Sequence, residues 1–226
     1  MQRAFLFDAY GTLFDIHSVV KRGGAGLRGD LEGLSQLWRR NQIEYTWRRA
    51  LMNRYENFRH VTEEALRASA SELSIQLSSD QCDALMQAYL SPAVFDDVPP
   101  MLEALRGNPM AILSNGSPDM LDAAVRSSGL GRYFTAVLSA DVVKTYKPSP
   151  QVYALGPQRL RIPAEEILFV SSNLWDAAGA KAFGYTVCWC NRAADGRETE
   201  LAGATLGFVP DFVVSSLKAL VHRFKV

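Results

Sequence analysis

Four short runs of aliphatic, β-branched and aromatic residues, Ala4–Phe7, Met110–Leu113, Ile167–Val170 and Tyr185–Trp189, each precede a polar turn and a helix-like stretch. That rhythm belongs to a parallel sheet covered by helices, and it confines the chain to the α/β class. A fifth candidate strand, Asp211–Val214, precedes a last helix over Leu217–Phe224. Ser117-Pro118 supplies an N-cap and a first-position proline for the helix after the second run, and Gly129 stops it.

Between the first and second runs lie roughly a hundred residues, far more than one crossover helix needs. Something is inserted there. Trp47, Leu51, Tyr55 and Phe58 recur at helical spacing, as do Leu66, Ala70, Leu73 and Leu77, and then Leu85 and Tyr89. Residues from about 16 to 97 are therefore read as a helical cap, and Pro99-Pro100 restarts the core. The expectation is a Rossmann-like parallel-sheet core, residues 1–15 and 98–226, carrying an inserted helical cap subdomain, residues 16–97. Gly156-Pro157 is expected to kink or split the helix that begins at Pro150 and carries Tyr153.

Composition narrows the partners. Twenty-four Lys and Arg balance twenty-four Asp and Glu, so no global field steers the chain onto nucleic acid or an anionic membrane. No apolar run approaches the ~18 residues that span a bilayer. A small-molecule partner and a cytoplasmic location are expected. Cys82, Cys188 and Cys190 make an odd count without paired spacing, and are read as structural thiols.

In an open parallel sheet, ligands gather beyond the carboxyl ends of the strands. The polar residues there are Asp8 and Thr12 after the first strand, Ser114 and Asn115 after the second, Lys147 before the third, and Ser171, Asn173 and Asp176 after it. Two carboxylates, one amine and several short hydrogen-bonding side chains converge. Thr12, four residues after Asp8, is read as hydrogen-bonding or positioning that carboxylate through the turn, with a plain helix cap as the alternative.

The segments Asp8-Ala9-Tyr10-Gly11-Thr12, Leu113-Ser114-Asn115-Gly116, Tyr146-Lys147-Pro148 and Ser171-Ser172-Asn173-Leu174-Trp175-Asp176 resemble, in order, the four motifs of the haloacid dehalogenase superfamily. More narrowly they resemble the (S)-2-haloacid dehalogenases, and the cap segment LWRRNQIEYTWRRALMNRY extends the likeness. The resemblance implies hydrolysis of small 2-haloalkanoic acids to 2-hydroxy acids with inversion, without cofactor or metal, by a homodimer. It implies that Asp8 attacks the halogen-bearing carbon, Lys147 holds the charge, and Asp176 activates the water that cleaves the resulting ester. It places the substrate carboxylate at Ser114 and the departing halide between Asn115 and Arg39, and makes Tyr10, Ile43, Phe58 and Trp175 pocket walls. Tyr153 would orient the lysine, and Asn173 and Ser171 would hold Asp176 and Lys147. Arg39 and Arg40 are adjacent, and the Trp38-Arg39 match favours Arg39. Phe58 and Tyr153 can also be ordinary packing residues.

The residues argue against the first alternative, a superfamily phosphatase. Such an enzyme carries a second Asp two positions after the nucleophile to protonate the leaving alkoxide. Here that position is Tyr10, a poorly matched acid. Halide leaves without a proton. Ser171 stands where a metal site usually has an acid, leaving Asp8 and Asp176 as a thin ligand set for Mg²⁺. A binding module on a spent scaffold is a second alternative, disfavoured by Asp8, Lys147 and Asp176 standing together. Arg40 and Arg59 depart from the dehalogenase pattern and are expected to tune the pocket.

Overall fold

The computed structural model of the protein describes residues 3–192 and 208–224, with side chains up to Val221. Residues 193–207 of the expected core lie outside the described residues. The sheet strands are β1 (Ala4–Phe7), β4 (Met110–Ser114), β5 (Ala136–Ser139), β6 (Ile167–Ser171), β7 (Thr186–Cys190) and β8 (Phe212–Val214). They pair in parallel in the order β5-β4-β1-β6-β7-β8, with Phe7 opposite both Ile112 and Val170. β1 is therefore central, and the residue that follows it, Asp8, emerges between the ends of two neighbouring strands.

The apolar runs are nearly continuous because both faces of a parallel sheet are covered. Successive side chains point to opposite faces. Phe5, Phe7, Ile112 and Val170 belong to one buried cluster, and Leu6, Leu113, Phe169 and Trp189 to the other. The first cluster packs under α5 (Val98–Ala104) and α6 (Pro118–Ser128); the second under α7 (Pro150–Tyr153), α8 (Leu155–Leu160) and α9 (Leu174–Phe183). A terminal helix, α10, spans Lys218–Phe224. Cys82, Cys188 and Cys190 are buried.

The insertion is tied at its neck by a two-stranded antiparallel ribbon, β2 (Phe14–Asp15) with β3 (Ala93–Val94). Between these strands run α1 (His17–Gly23), α2 (Leu31–Leu51), α3 (Phe58–Glu72) and α4 (Ser79–Ala88). Their apolar faces continue the first core cluster through Tyr10, Leu13 and Phe14, so cap and core share one uninterrupted interior. At the same neck Arg192 donates two hydrogen bonds to Asp97 and one to the Thr12 carbonyl, which ties the loop after β1 to the stem of the insertion.

Three expectations require correction. The stripe Trp47, Leu51, Tyr55, Phe58 is not one helix: α2 ends at Leu51, and Asn57 opens α3 by accepting a hydrogen bond from the His60 amide. Leu73 and Leu77 likewise lie beyond the end of α3. The break after Pro150 falls at Ala154, one residue past Tyr153, so Tyr153 and the Gly156-Pro157 pair occupy different helices. Gly156 is there for close approach, since a Cβ would stand 2.2 Å from the Tyr185 hydroxyl and 2.7 Å from Leu6. β5 is an edge strand that the sequence reading did not anticipate.

Candidate active site

The turn after β1 doubles back at Gly11, whose φ of +91° suits a residue without a Cβ. It brings Thr12 under Asp8. The Thr12 hydroxyl accepts from the Ser172 amide at 2.8 Å, so its own proton is directed to Asp8 Oδ2 at 3.0 Å. Asn173 Nδ2 donates to the same oxygen at 2.7 Å and to the Tyr10 carbonyl at 3.2 Å. The other carboxylate oxygen, Oδ1, takes one bond among the described residues, from Lys147 Nζ at 3.0 Å.

Lys147 Nζ also donates to Asp176 Oδ2 at 2.9 Å. Asp176 lies in the first turn of α9, where the helix dipole favours an anion. Tyr153 donates to its Oδ1 at 2.8 Å. The array Asp8–Lys147–Asp176 is thus a buried carboxylate, ammonium and carboxylate in sequence, with the lysine and Asp176 fully enclosed. Burial alone would discharge Lys147, but the two carboxylates outweigh it and hold the ammonium above its usual range. Burial pushes the Asp176 carboxyl up to about 6; Lys147 opposes that rise and the Asp8 charge adds to it. Tyr153 is raised, first by burial and then by Asp176, and remains a neutral donor.

Above this array a small cavity opens between core and cap. Of the residues expected there, Asp8, Tyr10, Ser114 and Asn115 form its core side with Trp175; Arg39, Ile43 and Phe58 form its cap side. Thr12, Lys147, Tyr153, Ser171, Asn173 and Asp176 do not line it, and support the floor instead. The cavity also holds a guanidinium: Arg39 Nη2 donates to the Tyr10 carbonyl at 3.0 Å and to Asn173 Oδ1 at 3.4 Å. Arg40 turns outward to Glu72, 3.7 Å away, and Arg59 to Asp119 at 3.4 Å, so neither departure shapes the cavity.

Several expected contacts are made differently. Tyr153 orients Asp176 rather than the lysine. Asn173 holds Asp8, while Ser171 accepts from the Asn173 amide, and among the described residues neither side chain hydrogen-bonds to Lys147 or Asp176. The lysine backbone is pinned instead by Asn115, whose Oδ1 accepts from the Lys147 amide at 2.8 Å. Thr46 lines the cavity and Gln42 grips Arg39, and neither was anticipated. Their positions three and seven residues after Arg39 on α2 were the available signal, because i+3 and i+7 share a helix face.

The donor set does not fit Mg²⁺. Both oxygens of Asp8 and both of Asp176 already accept from Lys147, Thr12, Asn173 or Tyr153, and the third position is a serine. Nor is there an acid at position 10. Burial raises the Tyr10 phenol well above its ordinary range, and among the described residues its hydroxyl has no hydrogen-bond partner.

Comparison with known proteins agrees with this geometry. A family model described as haloacid dehalogenase-like hydrolase matches residues 2–184. An (S)-2-haloacid dehalogenase of Pseudomonas sp. (strain YL) is 46% identical over 225 residues, covering 99% of this chain and 94% of the relative. Haloacetate dehalogenase H-2 of Moraxella sp. (strain B) is 41% identical, covering 99% and 98%. Among solved structures, the L-2-haloacid dehalogenase of Xanthobacter autotrophicus with chloropropionic acid covalently bound superposes with a TM-score of 0.91 at 38% identity, covering 100% of both chains.

Proposed function

The chain belongs to the haloacid dehalogenase-like hydrolases and stands among their (S)-2-haloacid dehalogenases, and from that premise we propose how its residues act. It converts small (S)-2-haloalkanoic acids to (R)-2-hydroxy acids and halide through an aspartyl ester. Asp8 is the nucleophile. Its Oδ1, which accepts from Lys147 alone among the described residues, attacks the halogen-bearing carbon in line, and the electron pair of the broken bond leaves with the halide. That displacement inverts the carbon. Water then attacks the carboxyl carbon of Asp8 with its proton passing to Asp176, and the bond from that carbon to the substrate oxygen breaks, the departing alkoxide taking the proton back from Asp176 to leave as the hydroxy acid. The second step does not touch the stereocentre, so the single inversion survives in the product.

Lys147 keeps the Asp8 charge in place as the cavity closes around substrate. Ser114 and neighbouring amides receive the substrate carboxylate, Asn115 and Arg39 receive the halide, and Tyr10, Ile43, Phe58 and Trp175 wall the short carbon chain. The observation that carries this reading is the buried Asp8–Lys147–Asp176 array, with no acid at position 10 to protonate the group that leaves when Asp8 attacks. A phosphatase needs that acid, and a haloacid dehalogenase does not.

A single turnover in ¹⁸O water with enzyme in excess tests the route. The label is expected in the Asp8 carboxylate, with unlabelled hydroxy acid. Label in the hydroxy acid of the first turnover means that water attacks carbon directly and removes Asp8 from its role.

Two copies pair through the cap in this reading. Three residues of the expected aromatic stripe are turned inward: Trp47 packs on Trp175, Tyr55 bonds Asp141, and Phe58 is buried. The pairing surface therefore centres on Leu51 and Met52, 88% and 62% exposed at the end of α2. Sedimentation should give twice the 25.0 kDa chain mass, and a monomer at micromolar concentration removes the pairing. Three buried cysteines at an odd count without paired spacing suit a reducing, cytoplasmic setting.

A further inference from the structure

Arg39 carries a full positive charge into the cavity, yet its three hydrogen-bond acceptors, Gln42 Oε1, the Tyr10 carbonyl and Asn173 Oδ1, are all neutral. Of these, the Gln42 bond is the shortest, at 2.8 Å, and comes from the opposite side of the guanidinium, through Nη1. Gln42 is 1% exposed. The direction of its amide is set by its neighbours. Thr62 commits its proton to the Phe58 carbonyl at 2.6 Å, so its oxygen can only accept, and Gln42 Nε2 supplies the bond at 2.7 Å. With the NH₂ turned to Thr62, the carbonyl oxygen must face Arg39. Tyr89 closes the network, its hydroxyl 3.0 Å from Nε2 and 3.1 Å from Oε1. Side chains from α2, α3 and the end of α4 therefore converge on one amide whose sole outlet is the arginine.

We propose that Gln42 is a positioning residue that aims Arg39 at the departing halide while leaving its charge uncompensated. The proposal rests on the reading of Arg39 as the halide partner. An amide oxygen orients a guanidinium through a neutral acceptor. A carboxylate in the same place would form an ion pair and compete with the halide for the same cation. Buried between three helices, the amide also removes the rotamer freedom that a long arginine would otherwise retain.

Gln42→Glu is nearly isosteric and isolates the charge; Thr62→Val removes the acceptor that orients the amide and leaves the Gln42–Tyr89 contact in place. Arg39→Lys is the control. Each is measured for inhibition by added chloride and bromide, for kcat and KM separately, and for melting temperature. Gln42→Glu should weaken halide inhibition roughly ten- to a hundredfold and lower kcat over a similar range. Thr62→Val should shift the halide inhibition constant several-fold in the same direction, without a matching loss of melting temperature. Wild-type halide inhibition and kcat in both variants, with Arg39→Lys impaired, overturns the positioning role and leaves the reading of Arg39 standing. Unchanged halide inhibition in Arg39→Lys overturns both. A variant that only loses melting temperature shows a packing role and also overturns the proposal.

Discussion

Asp176→Asn should stop the enzyme after one turnover. The first step needs only the Asp8 carboxylate and the in-line departure of halide, so about one equivalent of halide per active site should appear at close to the normal rate. The second step needs a base for water, and an amide is not one. Steady-state turnover should fall by roughly 10²–10⁴-fold, the usual contribution of a positioned general base. The stalled ester should be visible as a mass increase on the peptide containing Asp8. Tyr153 and Lys147 both donate to Asp176, so the asparagine oxygen can accept only one of them well. Absence of a halide burst, with turnover lost, would place Asp176 in the displacement step instead.

The same residue sets an acid limb whose direction follows from its surroundings. Burial is the largest influence on Asp176 and pushes it up to about 6, with the Asp8 charge adding to the rise. A base acts in its ionised form, so ester breakdown is present above that value and is lost as pH falls through it. Forming the ester discharges Asp8 and leaves Lys147 to Asp176 alone. Both changes favour the Asp176 carboxylate. In the ester the limb should therefore lie below about 6, and single-turnover ester breakdown followed against pH checks this.

How much of this could be read from the chain depends on what each feature is made of. β1, β4, β6 and β7 were legible because sheets covered on both faces require unbroken apolar runs. β5 was not, since its four residues are an edge strand, three of them only half-buried, and look like any short aliphatic stretch. The end of α2 was hidden by chance: Tyr55 and Phe58 continue the helical spacing of Trp47 and Leu51 although the chain has left the helix, with Asn53 at a φ of +54°. Asn57 was the overlooked start signal of α3. In the site, residue types at strand ends were readable as chemistry. The partner of each was not. Whether Tyr153 reaches Lys147 or Asp176 is settled by side-chain directions over a few ångströms. Arg39 and Arg40 are separated by one 100° step around α2, and it is the rotation of that helix that turns one inward and the other to solvent.

Lys147→Met should cost both activity and stability, and the stability loss should carry its own pH signature. The ammonium bridges two carboxylates whose side chains are 8% and 0% exposed. Without it, two anions face each other in a dry site, and removing one partner of such a buried pair costs about 3–5 kcal/mol. The folded variant can relieve this by taking up a proton, which leaves Asp8 with less of the charge it needs for attack. If the same loss carries over to the displacement step, halide release should fall by roughly a hundred- to several-thousandfold. In the unfolded chain both carboxyls titrate near their ordinary ~4. Burial and mutual repulsion make the folded variant hold its proton to higher pH than that. A group bound more tightly when folded supports stability below its unfolded pKa and loses that support as pH rises through the folded one. The deficit of Lys147→Met relative to the unsubstituted protein should therefore be small near pH 4 and grow toward pH 8. Urea midpoints at the two pH values measure it. A deficit independent of pH would mean that the lysine contributes packing and that the carboxylates do not depend on its charge.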